Sequence, residues 1–457
     1  MKDIHDVLKL QRAFFSSYKT RDPDFRIEQL KRLKKAVLVH ENELYEAFWK
    51  DLRKSKFETY ETEIGLVLEE IDHHIRCLHR WVKPEKVATN QLLHFWSYSR
   101  IYKEPYGIVL IMAPWNYPFQ LLITPLIGAI SAGNCIVAKP SASTPCVSAV
   151  IEKMIRGAFS PEYICCCAGG PGSGRELINM KWDYIFFTGS QAVGRLVLQA
   201  AAQNLTPVSL ELGGKSPCIV DADANIRLAA ARIAWGKFIN AGQTCIAPDY
   251  LFVHSSVKDK LLESMQKMII AYFGPDPKES PDYPRIISEE KTRRLASFFT
   301  MGKIITGGIA DIPGKYISPT IIEEPEPDDQ VMIEEIFGPV LPVMEFTGIQ
   351  TVLDYVNARP KPLALYYFSE NVSKQKDILR KTSSGGCCIN DVLIHFSNPS
   401  MPFGGVGNSG MGNYHGKFSF DTFSHQRSVM KKTSLFDIPV RYAPYKNKHR
   451  LLKMFLK

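Results

Sequence analysis

Between residues 107 and 190 short apolar runs and helical stretches take turns, and few architectures accept that pattern. GIVLIMA (107–113) is apolar at consecutive positions, as a strand covered on both faces requires. Pro118 to Ala132 reads as a helix and CIVAK (135–139) as a second strand. Thr144 to Ala158 reads as a second helix, opened by Thr144-Pro145. YICCC (163–167) and DYIFFT (183–188) add two strands, the latter followed by a helix from Ser190. This alternation predicts an α/β fold built on an open, Rossmann-type parallel sheet, with ligand contacts at the strand ends.

On either side the character changes. Residues 1–81 read as helices: Phe25, Leu30, Leu33, Val37, Leu44 and Phe48 recur at about helical spacing, as do Ile64, Val67, Ile71, Ile75 and Leu78. His73 and Cys77 lie one turn apart, but with no further ligands nearby they read as a helix face, and no metal is expected. Pro84 breaks the helix, and the aromatic, partly alternating run LLHFWSYSRIYKEP within 83–104 reads as a β-ribbon. From Lys215 to about residue 418 a second α/β unit is expected, with strands at 217–220, 250–254 and 340–346.

At 457 residues the chain exceeds one simple core, so two or three domains are expected. Its ten cysteines include Cys165-Cys166-Cys167 and Cys387-Cys388, and adjacent cysteines seldom bridge with good geometry. Free thiols in a reducing compartment follow. With Asp3 and Asp6 in place of a leader's apolar core, and with the most apolar stretch (107–138) broken by Pro114, Pro118 and Pro125, a cytoplasmic protein is expected. The net charge of +9 is concentrated: KNKHRLLKMFLK at the end holds five Lys or Arg and no acid. Without a zinc-finger, RRM or helix-turn-helix pattern, that excess does not predict nucleic-acid binding.

The chemistry is written in 206–248. Glu211 precedes Gly213-Gly214, and Cys245 ends Asn240-Ala-Gly-Gln-Thr-Cys. The segment between, Leu228 to Phe238, reads as a helix, so a strand end, a helix and a return loop bring a carboxylate and a thiol to one place. A thiol nucleophile beside a carboxylate base is an arrangement for covalent catalysis, although an isolated cysteine is more often a buried structural one. Phe187-Thr-Gly-Ser-Gln-Ala-Val-Gly194 follows a strand and opens a helix, whose free N–H groups suit a phosphate. GGPGSGREL (169–177) lacks G-x-G-x-x-G spacing and is expected to be a loop without a phosphate contact.

ELGGKSP (211–217) followed by GQTCIAPDY (242–250) resembles the aldehyde dehydrogenase superfamily, in a form similar to its class 3 branch. IEEIFGPV (333–340) and the Gly-rich run 398–427 have the same character, and the resemblance runs from about residue 57 to 445. It implies that Cys245 attacks an aldehyde, that Glu211 activates the deacylating water and that Asn116, in PWNYP, donates to the oxyanion. It implies an NAD or NADP site in which Gly189 and Ser190 meet the phosphates, Gly194 allows close helix packing and Lys139 meets the adenosine ribose. In the same site Trp115 lines the pocket, Glu335 binds the nicotinamide ribose and Phe337 packs near the ring. Many NAD-preferring relatives carry Glu three residues after that lysine; Ala142 here removes repulsion against a 2′-phosphate, so NADP is expected to be tolerated. His415 is a candidate to lie near the substrate, and Asn390 to orient the Cys245 loop.

On this resemblance the fold is aldehyde dehydrogenase-like. Residues 1–82 and 105–211 form the NAD(P)-binding domain, 212–418 the catalytic domain, 83–104 and 419–435 (with FDTFSHQR as a strand) a small β-arm for oligomerisation, and 436–457 a basic tail. The expected reaction is oxidation of a small-molecule aldehyde, medium to long aliphatic or aromatic, to the acid, by a homodimer. A coenzyme A-acylating enzyme, a cysteine hydrolase and a non-catalytic scaffold are the rival readings; the presence of Glu211, of the cofactor motifs and of Cys245, Glu211 and Asn116 together speaks against each in turn. For the tail three readings stand open: weak contact with an anionic membrane surface, a cap on the partner's substrate funnel, or a solvated end.

Overall fold

All thirteen residues of the helix Gln120–Ala132 are buried, although Pro125 lies inside it. A helix apolar on every side must be covered on every side. The helices Pro23–Val39, Gly65–Trp81 and Gly416–Thr422 pack around it, over the strand pair Ile108–Met112 and Cys135–Lys139. This is the centre of a computed structural model that describes residues 4–91, 94–170, 172–437 and 439–455.

Two twisted sheets organise the molecule. The first has six strands in the order 410–411, 208–212, 184–189, 108–112, 135–139, 164–166. All pairings in it are parallel except that of Gly410–Met411 with Val208–Leu212. Ile108–Met112 and Cys135–Lys139 are buried along their whole length, the continuous apolar reading of a parallel strand covered by helices. The second sheet has seven strands in the order 303–306, 320–323, 340–346, 250–254, 217–220, 364–368, 386–389, parallel apart from the first pair. The predicted strands 217–220, 250–254 and 340–346 are all present.

A third, antiparallel sheet stands apart. Glu85–Val87 and Ser424–Lys432 flank Ser97–Pro105, in line with the expected ribbon. FDTFSHQR departs from expectation in its first half. Phe420 to Thr422 end the helix Gly416–Thr422, where Phe420 is buried, and the strand starts only at Ser424. A second departure lies in 169–177: Ser173–Ile178 is a short helix rather than loop, because Gly172 turns the chain at φ 103° and Leu177 and Ile178 are buried. Pro171 lies outside the described residues. Among the described residues no helix is long and apolar enough to cross a membrane.

Candidate active site

The carboxyl edge of the six-stranded sheet faces the amino edge of the seven-stranded one. From the first come Pro114–Asn116 after strand 108–112, Thr188–Ser190 at the end of 184–189, and Glu211–Gly213 at the end of 208–212. From the second come Cys245 before strand 250–254, Glu335 and Phe337 before 340–346, and Leu363 before 364–368. Between them lies a cavity of about 260 Å³. Strand ends are where an open α/β sheet binds ligands, since backbone groups there point out of the ladder.

A second cavity, of about 240 Å³, opens on the other side of Cys245. Trp235, Ile246, Leu393, Ile394 and Phe396 give it an apolar wall, and Glu61 and Thr62 lie at its edge. Leu121, Cys245, Phe403 and Tyr414 line both cavities, so the thiol stands at their junction.

The loop that presents Cys245 is under strain. The helix Ile226–Phe238 ends, and Asn240, Ala241 and Gly242 follow with φ of 51°, 49° and 71°. Two non-glycine residues in the left-handed region cost about 1–3 kcal/mol each, so their surroundings must hold them. Asn240 Nδ2 donates to the carbonyls of Asn116 (2.8 Å) and Gln243 (3.2 Å). The Gln243 side chain donates to the carbonyls of Asn240 and Arg285, both at 3.1 Å, and accepts from Ile287 N–H at 3.0 Å. Tyr366 donates its hydroxyl to the carbonyl of Ile246 at 2.6 Å.

Asn116 is buried and lines the junction cavity with Cys245. One Nδ2–H donates to Gln243 O at 3.0 Å, which leaves the second amide proton for a ligand. Burial, then the carboxylates of Glu335 and Glu211, push the Cys245 thiol up to about 12, against the N–H groups of Cys245 and Ile246 that favour the thiolate. Glu211 is 3% exposed, and neither of its carboxylate oxygens has a hydrogen-bond partner. Burial therefore raises its pKa well above the usual carboxylate range. A buried, unpaired carboxylate is costly, and one at a cavity wall is a candidate for proton transfer.

The cofactor-type features converge on the larger cavity. Gly189 and Ser190 line it at the N-terminus of the helix Gln191–Ala202, whose Val193 N–H Ser190 caps. Gly194 lies against Leu212, where a Cβ would come within 2.7 Å of that side chain, as close helix packing implies. Trp115 and Phe337 meet edge to face, with centroids 5.4 Å apart. Gly213 leaves room for Glu335: a Cβ there would sit 2.3 Å from its carboxylate. Burial and Asp249 push Glu335 up to about 8, with the N–H of Gly214, Lys215 and Arg294 opposing. An anion-favouring helix end, a reserved carboxylate and an aromatic pair fit a dinucleotide.

Not every expected residue lines these two cavities. Lys139 ends its strand, but its ammonium turns back to donate to Pro140 O at 2.9 Å, and it lines neither cavity. His415 stands one layer behind the wall, stacked on Tyr414 at 4.2 Å between centroids, and faces a separate small cavity. Asn390 does not orient the Cys245 loop. Its side chain clasps Ser369, accepting from its N–H at 2.8 Å and donating to its carbonyl at 3.1 Å, because strand 386–389 ends beside strand 364–368.

Other residues emerge only in three dimensions. Lys291 and Arg294 line the larger cavity, Lys291 with its ammonium 5.7 Å from the centre of the Trp115 ring. Arg294 donates to the carbonyls of Glu335 (2.6 Å) and Ile336 (3.0 Å). Lys215 pairs with Asp249 and donates to the carbonyls of Val331 and Glu334, both at 2.8 Å. Asp249 accepts from Ile336 N–H at 2.9 Å. The GGK and PDY segments thus clamp the loop that carries Glu335; their place inside the conspicuous motifs was the available signal.

Comparison with known proteins bears on the family and the fold. The aldehyde dehydrogenase family model matches residues 1–429. A 4,4'-diaponeurosporen-aldehyde dehydrogenase of Staphylococcus aureus is 47% identical over 448 residues, covering 98% of this chain and 97% of that one. A mouse protein named aldehyde dehydrogenase, dimeric NADP-preferring, is 43% identical over 434 residues, covering 95% of each. Among solved structures, a substrate-bound state of Staphylococcus aureus AldH superposes with a TM-score of 0.97 at 46% identity, covering 100% of both chains.

Proposed function

The chain belongs to the aldehyde dehydrogenase family and oxidises aldehydes to carboxylic acids with NAD or NADP, and from that premise we propose that Cys245, Glu211 and Asn116 carry the reaction. The observation that supports this most is the position of Cys245 on the shared wall of two cavities, of which only the larger carries Lys291, Arg294, Glu211 and Glu335. A nicotinamide dinucleotide, when bound, would supply the hydride acceptor. Cys245 releases its thiol proton to solvent and adds as the thiolate to the aldehyde carbon, and the resulting alkoxide is held by the free amide proton of Asn116 and the backbone N–H of Cys245. Loss of hydride from that thiohemiacetal leaves a thioester on Cys245. Glu211 takes a proton from water, the hydroxide adds to the thioester, and the acid leaves with Cys245 restored. Burial raises the Glu211 pKa, and a more basic carboxylate is a stronger proton acceptor once ionised.

Gly189, Ser190, Trp115, Glu335 and Phe337 would hold the dinucleotide, with Gly194 behind them and Lys139 at the ribose end. Ala142 is exposed three residues on and leaves room for a 2′-phosphate, which supports use of NADP. The apolar wall of the smaller cavity supports medium to long aliphatic or aromatic aldehydes. On this reading 1–82 and 105–211 bind cofactor, 212–418 carry the nucleophile, and the sheet of 83–104 and 419–435 pairs two subunits into a homodimer. The basic tail, with Met454 74% exposed, would make at most a weak contact with an anionic surface.

The test is the absorbance of reduced nicotinamide from purified protein with a medium-chain aldehyde and either NAD or NADP. We expect reduction with both cofactors, falling about 10⁴-fold or more in Cys245→Ser. Undiminished reduction in that variant would remove the assignment, and a complete absence of NADP turnover would remove the Ala142 argument.

A further inference from the structure

The strained turn before Cys245 and the loop carrying Asn116 come from different parts of the chain, yet one buried set of charges touches both. The short helix Lys56–Thr59 continues as a π-turn, Tyr60–Ile64, before the helix Gly65–Trp81. Residues five apart on an α-helix diverge by roughly 140°. The wider turn instead sends both Glu58 and Glu63 inward, and both are buried.

Each carboxylate takes one loop. Glu58 Oε1 accepts the backbone N–H of Asn240, the first left-handed residue of the turn, at 2.9 Å. Glu63 Oε2 accepts the N–H groups of Phe119 (3.2 Å) and Gln120 (2.8 Å), where the helix after Asn116 and Tyr117 begins. That helix has no side-chain cap of its own at Phe119, so Glu63 meets its free donors. Lys54 completes the set: it is 1% exposed, pairs with Glu63 Oε1 at 3.2 Å, and holds its ammonium 4.4 Å from the centre of the Tyr117 ring. Tyr117 in turn shares a hydrogen bond of 2.6 Å with Thr244 Oγ1, beside Cys245. Buried ions are a poor way to gain stability, because desolvation opposes the attraction between them. What these three do provide is geometry.

We propose that Glu58, Glu63 and Lys54 are positioning residues that set the distance between the oxyanion donor Asn116 and the nucleophile Cys245. Glu58 holds the Cys245 side, Glu63 holds the Asn116 side, and Lys54 pairs with Glu63 while its charge also acts on Glu58. None of the three lines either cavity, so they act through the loops and not on the reactants. The proposal rests on the assignment of Cys245 and Asn116 to the chemistry.

Glu58→Ala removes the acceptor for Asn240 N–H, whereas Glu58→Gln keeps a carbonyl oxygen at that place and removes only the charge. We expect kcat to fall about 10²-fold in Glu58→Ala, the size of effect that a misplaced reacting group produces. The KM values for aldehyde and cofactor should stay within about twofold, and Glu58→Gln should recover kcat to within about threefold of the parent. Lys54→Met, which keeps the volume of the stem, is a second lesion with the same signature at roughly tenfold. Active sites are counted in each variant from the stoichiometry of NADPH binding per chain, which does not depend on the chemical step. A parental kcat in folded Glu58→Ala and Lys54→Met overturns the proposal, and so does a loss of kcat matched by an equal loss of active sites. Cys245→Ser is run alongside: if it stays active the underlying assignment fails, and if it is dead while both variants keep full kcat only the positioning role fails.

Discussion

The two cavities that meet at Cys245 are nearly equal in size, about 260 and 240 Å³, and unlike in almost every other respect. The larger sets polar groups among its apolar lining: Glu211, Glu335, Lys291, Arg294 and the end of a helix. The smaller is walled by Trp235, Ile246, Leu393, Ile394 and Phe396, and among its described lining residues Glu61 is the only carboxylate and none is a lysine, arginine or histidine. A site of the first kind recognises one ligand by geometry, because each unpaired buried polar group penalises a wrong fit. A site of the second kind recognises by area, at about 25 cal/mol per Å² of apolar surface, and tolerates a series of chain lengths. One thiol serves both, so lesions on the two sides should separate cleanly in the kinetics.

The largest separation should come from the junction itself. Asn116→Ala should lower kcat by about 10²–10³ while leaving both KM values near the parent's, since the donor acts on the alkoxide alone. Steady-state kinetics that place the loss in KM would blur the distinction between junction and walls. On the apolar side, Ile394→Asp puts a carboxylate at the half-exposed rim. The KM for decanal should rise about tenfold, ~1.4 kcal/mol, with little change for acetaldehyde or NADP. An equal rise for NADP would mean that the cavities are not independent.

The smallest effect is electrostatic. In the free protein burial first, and then Glu335 and Glu211, keep the thiol protonated, so iodoacetamide labelling of Cys245 should still be climbing at about pH 10, past the range of an ordinary cysteine. Glu335 is itself held up at about 8; below that pH it is neutral and exerts no repulsion, and above it the carboxylate opposes the thiolate. Glu335→Gln should therefore speed labelling roughly threefold above pH 8 and hardly at all below it. Acceleration at all pH values would assign the effect to packing and not to charge.

How much of this was legible in the chain depends on the kind of residue. The sheet was, because fully buried parallel strands such as 108–112 and 135–139 are apolar at every position, a pattern that short-range reading detects. Cys245 and Glu211 were legible as candidates because a strand end, a helix and a return loop bring them together, whereas the role of Asn116 came only from the resemblance. Lys54, Glu58 and Glu63 were hidden, since a 3.6-residue wheel sets Glu58 and Glu63 apart and only the π-turn reunites them. Lys215 and Asp249 sat in view, inside the motifs, but their common target at 331–336 is a long-range contact that no local pattern contains. The same blindness explains Asn390, assigned to the Cys245 loop although its partner is Ser369 on the neighbouring strand. FDTFSHQR misled in another way: its β-prone residues are compatible with a strand, and burial of Phe420 against the helix Gly65–Trp81 decides for a helical turn.

The claim on which the rest depends is that one thiol, standing between the two cavities, carries the acyl group that Glu211 then clears by activating water. Rapid mixing of Glu211→Gln with aldehyde and NADP, followed by intact mass analysis, tests it directly. The account predicts a burst of about one reduced nicotinamide per active site, then near-arrest, with the acyl mass added at Cys245. Continued turnover at the parental rate, or reduced cofactor without an acyl group on Cys245, would contradict it.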